Sequence, residues 1–275
     1  MRNRFLILLL VAGSSIQAQW LNHRDPGAPR AKDGKAQLSA PAPRTSAGKA
    51  DLSGIWQPEG APISELMKML PAGVNGLGED PPPVSFFNVM AGMKPGESSL
   101  RPEFTAMYQQ RSAGAFTESP PALCVPPTTP FVDSLPAPFK MVQTPNLMLM
   151  LVESDTNFRQ IFLDGRKHPD DPQPSWLGYS VGKWQGDALV VETVGLNDQG
   201  PLDILGHPHS ADLRVTERFH RRDFGHMDVQ VTIDDPKTYT KAFTYNINML
   251  LLPDTDLIES FCVENEKDMA HAPKR

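Results

Sequence analysis

Residues 206–241 read GHPHSADLRVTERFHRRDFGHMDVQVTIDDPKTYTK. From His226 to Asp234 this stretch alternates. Met227, Val229, Val231 and Ile233 fall on one side of an extended chain, and His226, Asp228, Gln230, Thr232 and Asp234 on the other. A period of two is the pattern of a strand with one face in a core and one in water. Leu213–Arg221 reads as the partner strand, with Asp223-Phe224-Gly225 as the turn between them. Four of the seven histidines lie in this stretch, so it is also the first place to look for a site.

Outward from this hairpin the strand pattern continues. Lys140–Thr144, Leu147–Glu153, Phe158–Leu163, Gly178–Trp184, Ala188–Leu196, Ala242–Leu252 and Leu257–Glu264 all read as strands. Turn residues such as Pro145-Asn146, Ser154-Asp155, Gly186-Asp187 and Pro253-Asp254 join several of them closely, while 197–212 is a long connection. Consecutive strands without intervening helices predict a mainly β fold, an antiparallel up-and-down barrel. Leu147–Val152 is apolar on both faces and needs an outer cover. The segment at about 60–138 is read as that helical and loop cover. Ile63, Leu66, Met67 and Leu70 stand at helical spacing before Pro71, and Phe104, Met107 and Tyr108 share one face of a second helix. Methionines 67, 69, 90, 93 and 107 read as gap-filling core.

The ends bound the compartment. Residues 1–18 have the form of a secretory signal peptide, with Arg2 and Arg4, an apolar run over 5–11 and Ala18 at the cut. That run is shorter than the ~20 residues that span a bilayer. Residues 19–50 are rich in Pro, Ala, Gly, Lys and Ser without apolar periodicity and read as a disordered linker. The barrel domain is placed at 51–268 and a tail at 269–275. The formal net charge of −6 grows more negative once the two arginines of the leader are removed, which disfavours nucleic acid and anionic membrane as partners. A periplasmic or secreted protein with two cysteines, Cys124 and Cys262, is expected to bridge them. Two buried thiols are the alternative.

Two resemblances accompany this reading. Gly54-Ile55-Trp56, and again Gly182-Lys183-Trp184, resemble the G-x-W of lipocalins and other calycin barrels. DLSGIW, FRQIFLDGR, GHPHS, RVTERF, RRDFGH, TIDDPKTYT, LLPDT and ENEKD, spanning about 51–268, resemble a family of exported bacterial proteins of unknown function. The first resemblance implies a binding barrel; the second implies no mechanism.

The candidate site centres on His207-Pro208-His209. Residues two apart on an extended chain project to one side, and Pro208 stiffens the pair. With His226, or with Asp198, Asp203 or Glu217, they form a candidate three-ligand site for a divalent metal; the metal-free reading is the main one, so no cofactor is expected. There, His207, His209 or His226 acts as acid or base, oriented by Asp223, Asp228 or Asp234, with Arg218 or Arg222 holding an anion. Arg166, His168, Trp184 and Tyr239 complete the expected ligand-binding lining. Ser210 reads as a loop hydroxyl, since no G-x-S-x-G elbow is present. A phosphate-cradling glycine motif is also absent, which argues against ATP- or NAD-dependent chemistry. The functional expectation is therefore an exported barrel binding a small, partly apolar molecule in a His/Arg/Asp-lined cavity. The alternative is a hydrolase, lyase or isomerase working by His–carboxylate or His–metal chemistry in the same cavity.

Overall fold

Every second residue of the 226–234 stretch is buried in the structure: Met227, Val229, Val231 and Ile233 all point into the core. The structure is a computed structural model that describes residues 23–60, 88–90, 93, 98–113 and 124–262. Among these residues nine strands close into a barrel in sequence order. They are β1 (Gly54–Pro58), β2 (Phe139–Gln143), β3 (Leu147–Val152), β4 (Asn157–Phe162), β5 (Tyr179–Gln185), β6 (Ala188–Val194), β7 (Arg214–Arg221), β8 (His226–Asp234) and β9 (Phe243–Leu251). One short helix, α1 (Thr105–Ala113), follows a 3-10 turn at Pro102–Phe104.

An all-antiparallel barrel was the sequence expectation, and β4–β5 corrects it by pairing parallel. The correction follows from parity. Each antiparallel contact around a closed ring reverses strand direction, so nine contacts cannot all be antiparallel. The chain makes its parallel step through 163–178, a connection long enough to return to the starting end of the barrel. A further correction concerns Leu257–Glu264, whose described part carries no strand. β1 already pairs with β9 and closes the ring. Residues after β9 instead donate from the Ile258 amide to Glu153 (3.1 Å) and from the Cys262 amide to Asp155 (2.9 Å).

Both barrel ends are stoppered. Phe131–Ser134, a 3-10 turn with all four residues buried, fills one end. The other is covered by residues 23–53, and here the expectation of a disordered tether fails. APRAKDGKAQLSA (28–40) recurs as APRTSAGKADLSG (42–54). Each copy makes a tight turn at a glycine of positive φ, Gly34 (84°) and Gly48 (74°). Each arginine donates to its own turn carbonyl, Arg30 to Gly34 (3.1 Å) and Arg44 to Gly48 (2.9 Å). Each then pairs with an aspartate in a barrel loop, Arg30 with Asp254 and Arg44 with Asp187. The Phe224 and Gly225 amides donate to Ala40 and Leu38, both at 2.7 Å, which docks the first copy on the β7–β8 hairpin. Local hydrogen bonds and docking supply what apolar periodicity does not.

The interior is packed, with one polar knot. Arg159 of β4 is 2% exposed. Its Nη1 donates to Glu217 Oε1 (3.0 Å), Nη2 to the other Glu217 oxygen and to Thr193 (2.9 Å), and Nε to Ser180 (3.1 Å). Asp133, in the end-filling turn, stands 3.6 Å from Nη1. Burial and the neighbouring Glu217 carboxylate push the Asp133 carboxyl well above the ordinary range, so it keeps its proton beside Glu217. Glu217 stays ionised: burial acts against it, but Arg159 outweighs burial and holds its pKa down.

α1 buries no residue completely, and Met107 is exposed, against its expected place in the core. Met90 and Met93 do pack against the core. Cys124 and Cys262 form a disulfide, and no helix among the described residues is long and apolar enough to cross a membrane. The leader at 1–18, the helix expected at 63–70 and the tail at 269–275 lie outside the described residues.

Glu217→Gln strips Arg159 of its counter-charge and should lower stability by about 3–5 kcal/mol in urea unfolding. Asp133→Asn keeps a donor toward Glu217 and should be tolerated. In the wild type the folded state holds a proton that the unfolded chain releases. That stabilisation is complete below the ordinary aspartate range and declines as pH rises. As pH rises above the ordinary aspartate range the wild type should therefore lose stability relative to Asp133→Asn; parallel pH profiles would refute the buried carboxyl. Reduction of the disulfide, which links residues 138 apart, should cost about 2–5 kcal/mol, read as a lower melting temperature in reductant.

Candidate functional site

The β6–β7 connection and the β8–β9 connection leave the same end of the barrel, the one filled by Phe131–Ser134, and α1 lies across them. Contact with α1 depends on Gly206. Its φ is +84°, and a Cβ there would come within 2.3 Å of the Arg111 Cβ. Beneath the helix the connection folds on Asp203, which is fully buried. The Asp203 carboxylate accepts from the Val89 amide (2.9 Å), the His207 amide (3.1 Å) and His207 Nδ1 (2.6 Å). Because a carboxylate only accepts, Nδ1 carries the hydrogen and Nε2 is the nitrogen left for chemistry. The Tyr108 ring stacks on His207 with centroids 4.3 Å apart.

His209 sits beside this dyad, 5% exposed. Its Nδ1 donates to the Ser210 carbonyl (3.0 Å), so Nε2 presents a lone pair. That Nε2 is buried and has no hydrogen-bond partner. Burial holds the imidazole below its ordinary pKa, and Arg111 adds to this against the opposing fields of Asp235 and Asp198; the ring is neutral near pH 7. Ser210 donates amide (2.7 Å) and hydroxyl (2.8 Å) to Asp235. Burial raises the proton affinity of Asp235, but bonds from Ser210 and Thr238 outweigh it and hold the carboxyl below its usual range. Tyr239 hydroxyl donates to the Pro208 carbonyl (2.8 Å), pinning the His-Pro-His backbone. Burial first, and the Asp203 charge second, raise the pKa of both Tyr108 and Tyr239, so both phenols keep their protons.

Of the residues expected from sequence, His207, His209 and Tyr239 come together. His226 does not: β7 runs the height of the barrel between them, and His226 stands at the opposite end, its Nδ1 2.7 Å from Asp223. Asp223 also caps the turn amides of Gly225 (3.0 Å) and His226 (2.8 Å), a local structural task. Glu217 faces inward to Arg159, so it is in the core and not in the site. Arg218 and Asp234 are exposed on the outer face, and Arg222 pairs with Asp228 there at 3.0 Å. Trp184 packs against the core. Arg166 pairs with Asp164, and His168 with Glu192 (3.3 Å), in a surface cleft of about 250 Å³ that also holds Lys183.

Parity of side-chain direction explains these corrections. Neighbours on a strand face opposite ways, so Glu217 and Arg218 cannot share a site. The acid orienting His207 is Asp203, four residues upstream within the same loop, and the charge beside His209 is Arg111 from α1. Arg111 was missed because nothing in the sequence ties that helix to the loop; Gly206 was the available signal. Among the described residues no group of three His, Cys, Asp or Glu side chains is placed to hold a metal ion, so the expected set of His207, His209 and His226 does not assemble. Comparison with protein-family models, with curated proteins and with solved structures gave no match.

Proposed function

We propose that this chain is an exported protein, cleaved after its leader, that binds a small, partly apolar molecule at the barrel rim beside His207, His209, Tyr108 and Tyr239. The observation that carries this reading is the buried, unpartnered Nε2 of His209. A buried acceptor without a donor costs about 1–3 kcal/mol, and a ligand that donates to it removes that cost. The Tyr108–His207 stack supplies the apolar flank. Membership of the exported family and the calycin likeness belong to the same proposal, as does the covering role of 60–138. The disulfide is compatible with an oxidising compartment.

His209→Leu removes the unsatisfied acceptor. Its melting temperature should equal or exceed that of the wild type, while a small molecule retained by wild-type protein in native mass spectrometry should be lost. A clearly lower melting temperature with no ligand on the wild type would mean that His209 is structural.

A second reading is favoured by the 2.6 Å His207–Asp203 bond. Held in one tautomer, His207 Nε2 is suited to general base or acid work in a hydrolase, lyase or isomerase. Asp203→Asn should then reduce turnover, on a panel of activated esters first, by about 10²–10⁴-fold without weakening binding. Unchanged rates would leave binding alone.

A further inference from the structure

The rim site holds a cation that the protein does not neutralise. Among the described residues Arg111, half-buried on α1, has no hydrogen-bond or ion-pair partner, and burial lowers its pKa. It lies against Gly206, close to Tyr239 and close enough to His209 to depress that imidazole. Asp198 and Asp235 are the acids whose fields also reach His209. Neither pairs with Arg111, and Asp235 is occupied by Ser210 and Thr238. Elsewhere, Arg30, Arg44, Arg159, Arg166, Arg214 and Arg222 each have a carboxylate partner, and the buried Arg221, which has none, is met by the carbonyls of Asp51, Ser53, Asp223 and Phe224. A partly desolvated guanidinium without a counter-charge is costly, and its planar fork matches a carboxylate. Within reach of its field, His209 Nε2 offers a buried lone pair that needs a donor.

We propose that the ligand is a small organic carboxylate with a hydroxyl or amine donor beside its carboxyl group. The carboxylate pairs with Arg111 and the donor bonds to His209 Nε2. This rests on the reading of the rim as a ligand site and adds the chemical class. The two demands are complementary: the charge selects an anion, and the lone pair rejects an anion without a donor, since that ligand leaves Nε2 unpaired. His207, held by Asp203, belongs to the same rim.

The test uses mature protein labelled with 15N in histidine and arginine, titrated with glycolate, acetate and glycolamide. Glycolate has both features, acetate lacks the hydroxyl and glycolamide lacks the charge. Glycolate should shift the His209 Nε2 and Arg111 resonances and bind at least ~10-fold more tightly than either analogue. Arg111→Met should abolish that preference, and Arg111→Lys should restore part of it with the fold intact by circular dichroism. If glycolamide moves His209 as strongly as glycolate, or Arg111→Met binds glycolate like the wild type, the carboxylate class is wrong while the ligand site stands. If none of the three compounds moves either resonance, the class and the site reading both fall.

Discussion

A guanidinium sealed inside a barrel must find charge and hydrogen bonds within reach, and Arg159 organises the structure around that need. Four of its five N–H groups are met by Ser180 on β5, Thr193 on β6 and Glu217 on β7, Nη1 also contacts Met150 Sδ on β3, and Asp133 stands beside them. Three strands and the end-filling turn are thereby fixed to one point. Removing water from two charges costs several kcal/mol each, and the attraction between them offsets this only when geometry is good and the remaining lone pairs are satisfied. A protonated Asp133 sits beside the pair without adding a second negative charge. Apolar residues of equal volume could fill the same space. The ionic knot additionally specifies which turn enters the barrel and how far.

A filled interior changes where function can reside. Ligand barrels usually enclose their guest, but here Trp56, Phe139, Phe219, Met148, Met150 and Leu189 are buried within, and both ends are closed by the chain's own segments. Chemistry is therefore left to the loops above one end. Those loops are well tied: Asp203 takes three hydrogen bonds, Asp235 takes bonds from Ser210 and Thr238, and Tyr239 holds Pro208. Against this background the buried Nε2 of His209 is left without a partner, and Arg111 has no carboxylate partner among the described residues. Rigid support around unsatisfied groups is the arrangement expected of a preorganised site, because the surroundings cannot relax to pair them. The His226–Asp223 pair has similar local geometry but serves a turn, which shows why a histidine–aspartate contact alone does not define a site.

The sequence by itself determined most of the strands and one of the two functional loops. Alternation in β8 and β9 is enforced residue by residue, since a strand half in water must switch polarity at each step. His207-Pro208-His209 was legible because its spacing and stiffening are local, and the cysteine pair because few other fates suit two cysteines in an oxidising compartment. Other features were local yet missed: the 28–40 and 42–54 repeat is plain in the letters once its turn hydrogen bonds are known, but composition alone reads as disorder. Only the tertiary structure decided the rest. Closure of nine strands forced a parallel step, a property of the whole ring that no single segment carries. Strand direction sent His226 to the far end and Glu217 inward to Arg159. The docking of α1 on Gly206 brought Arg111 to His209. Each of these depends on contacts between residues far apart in the chain, and such contacts leave no period in the sequence from which to read them.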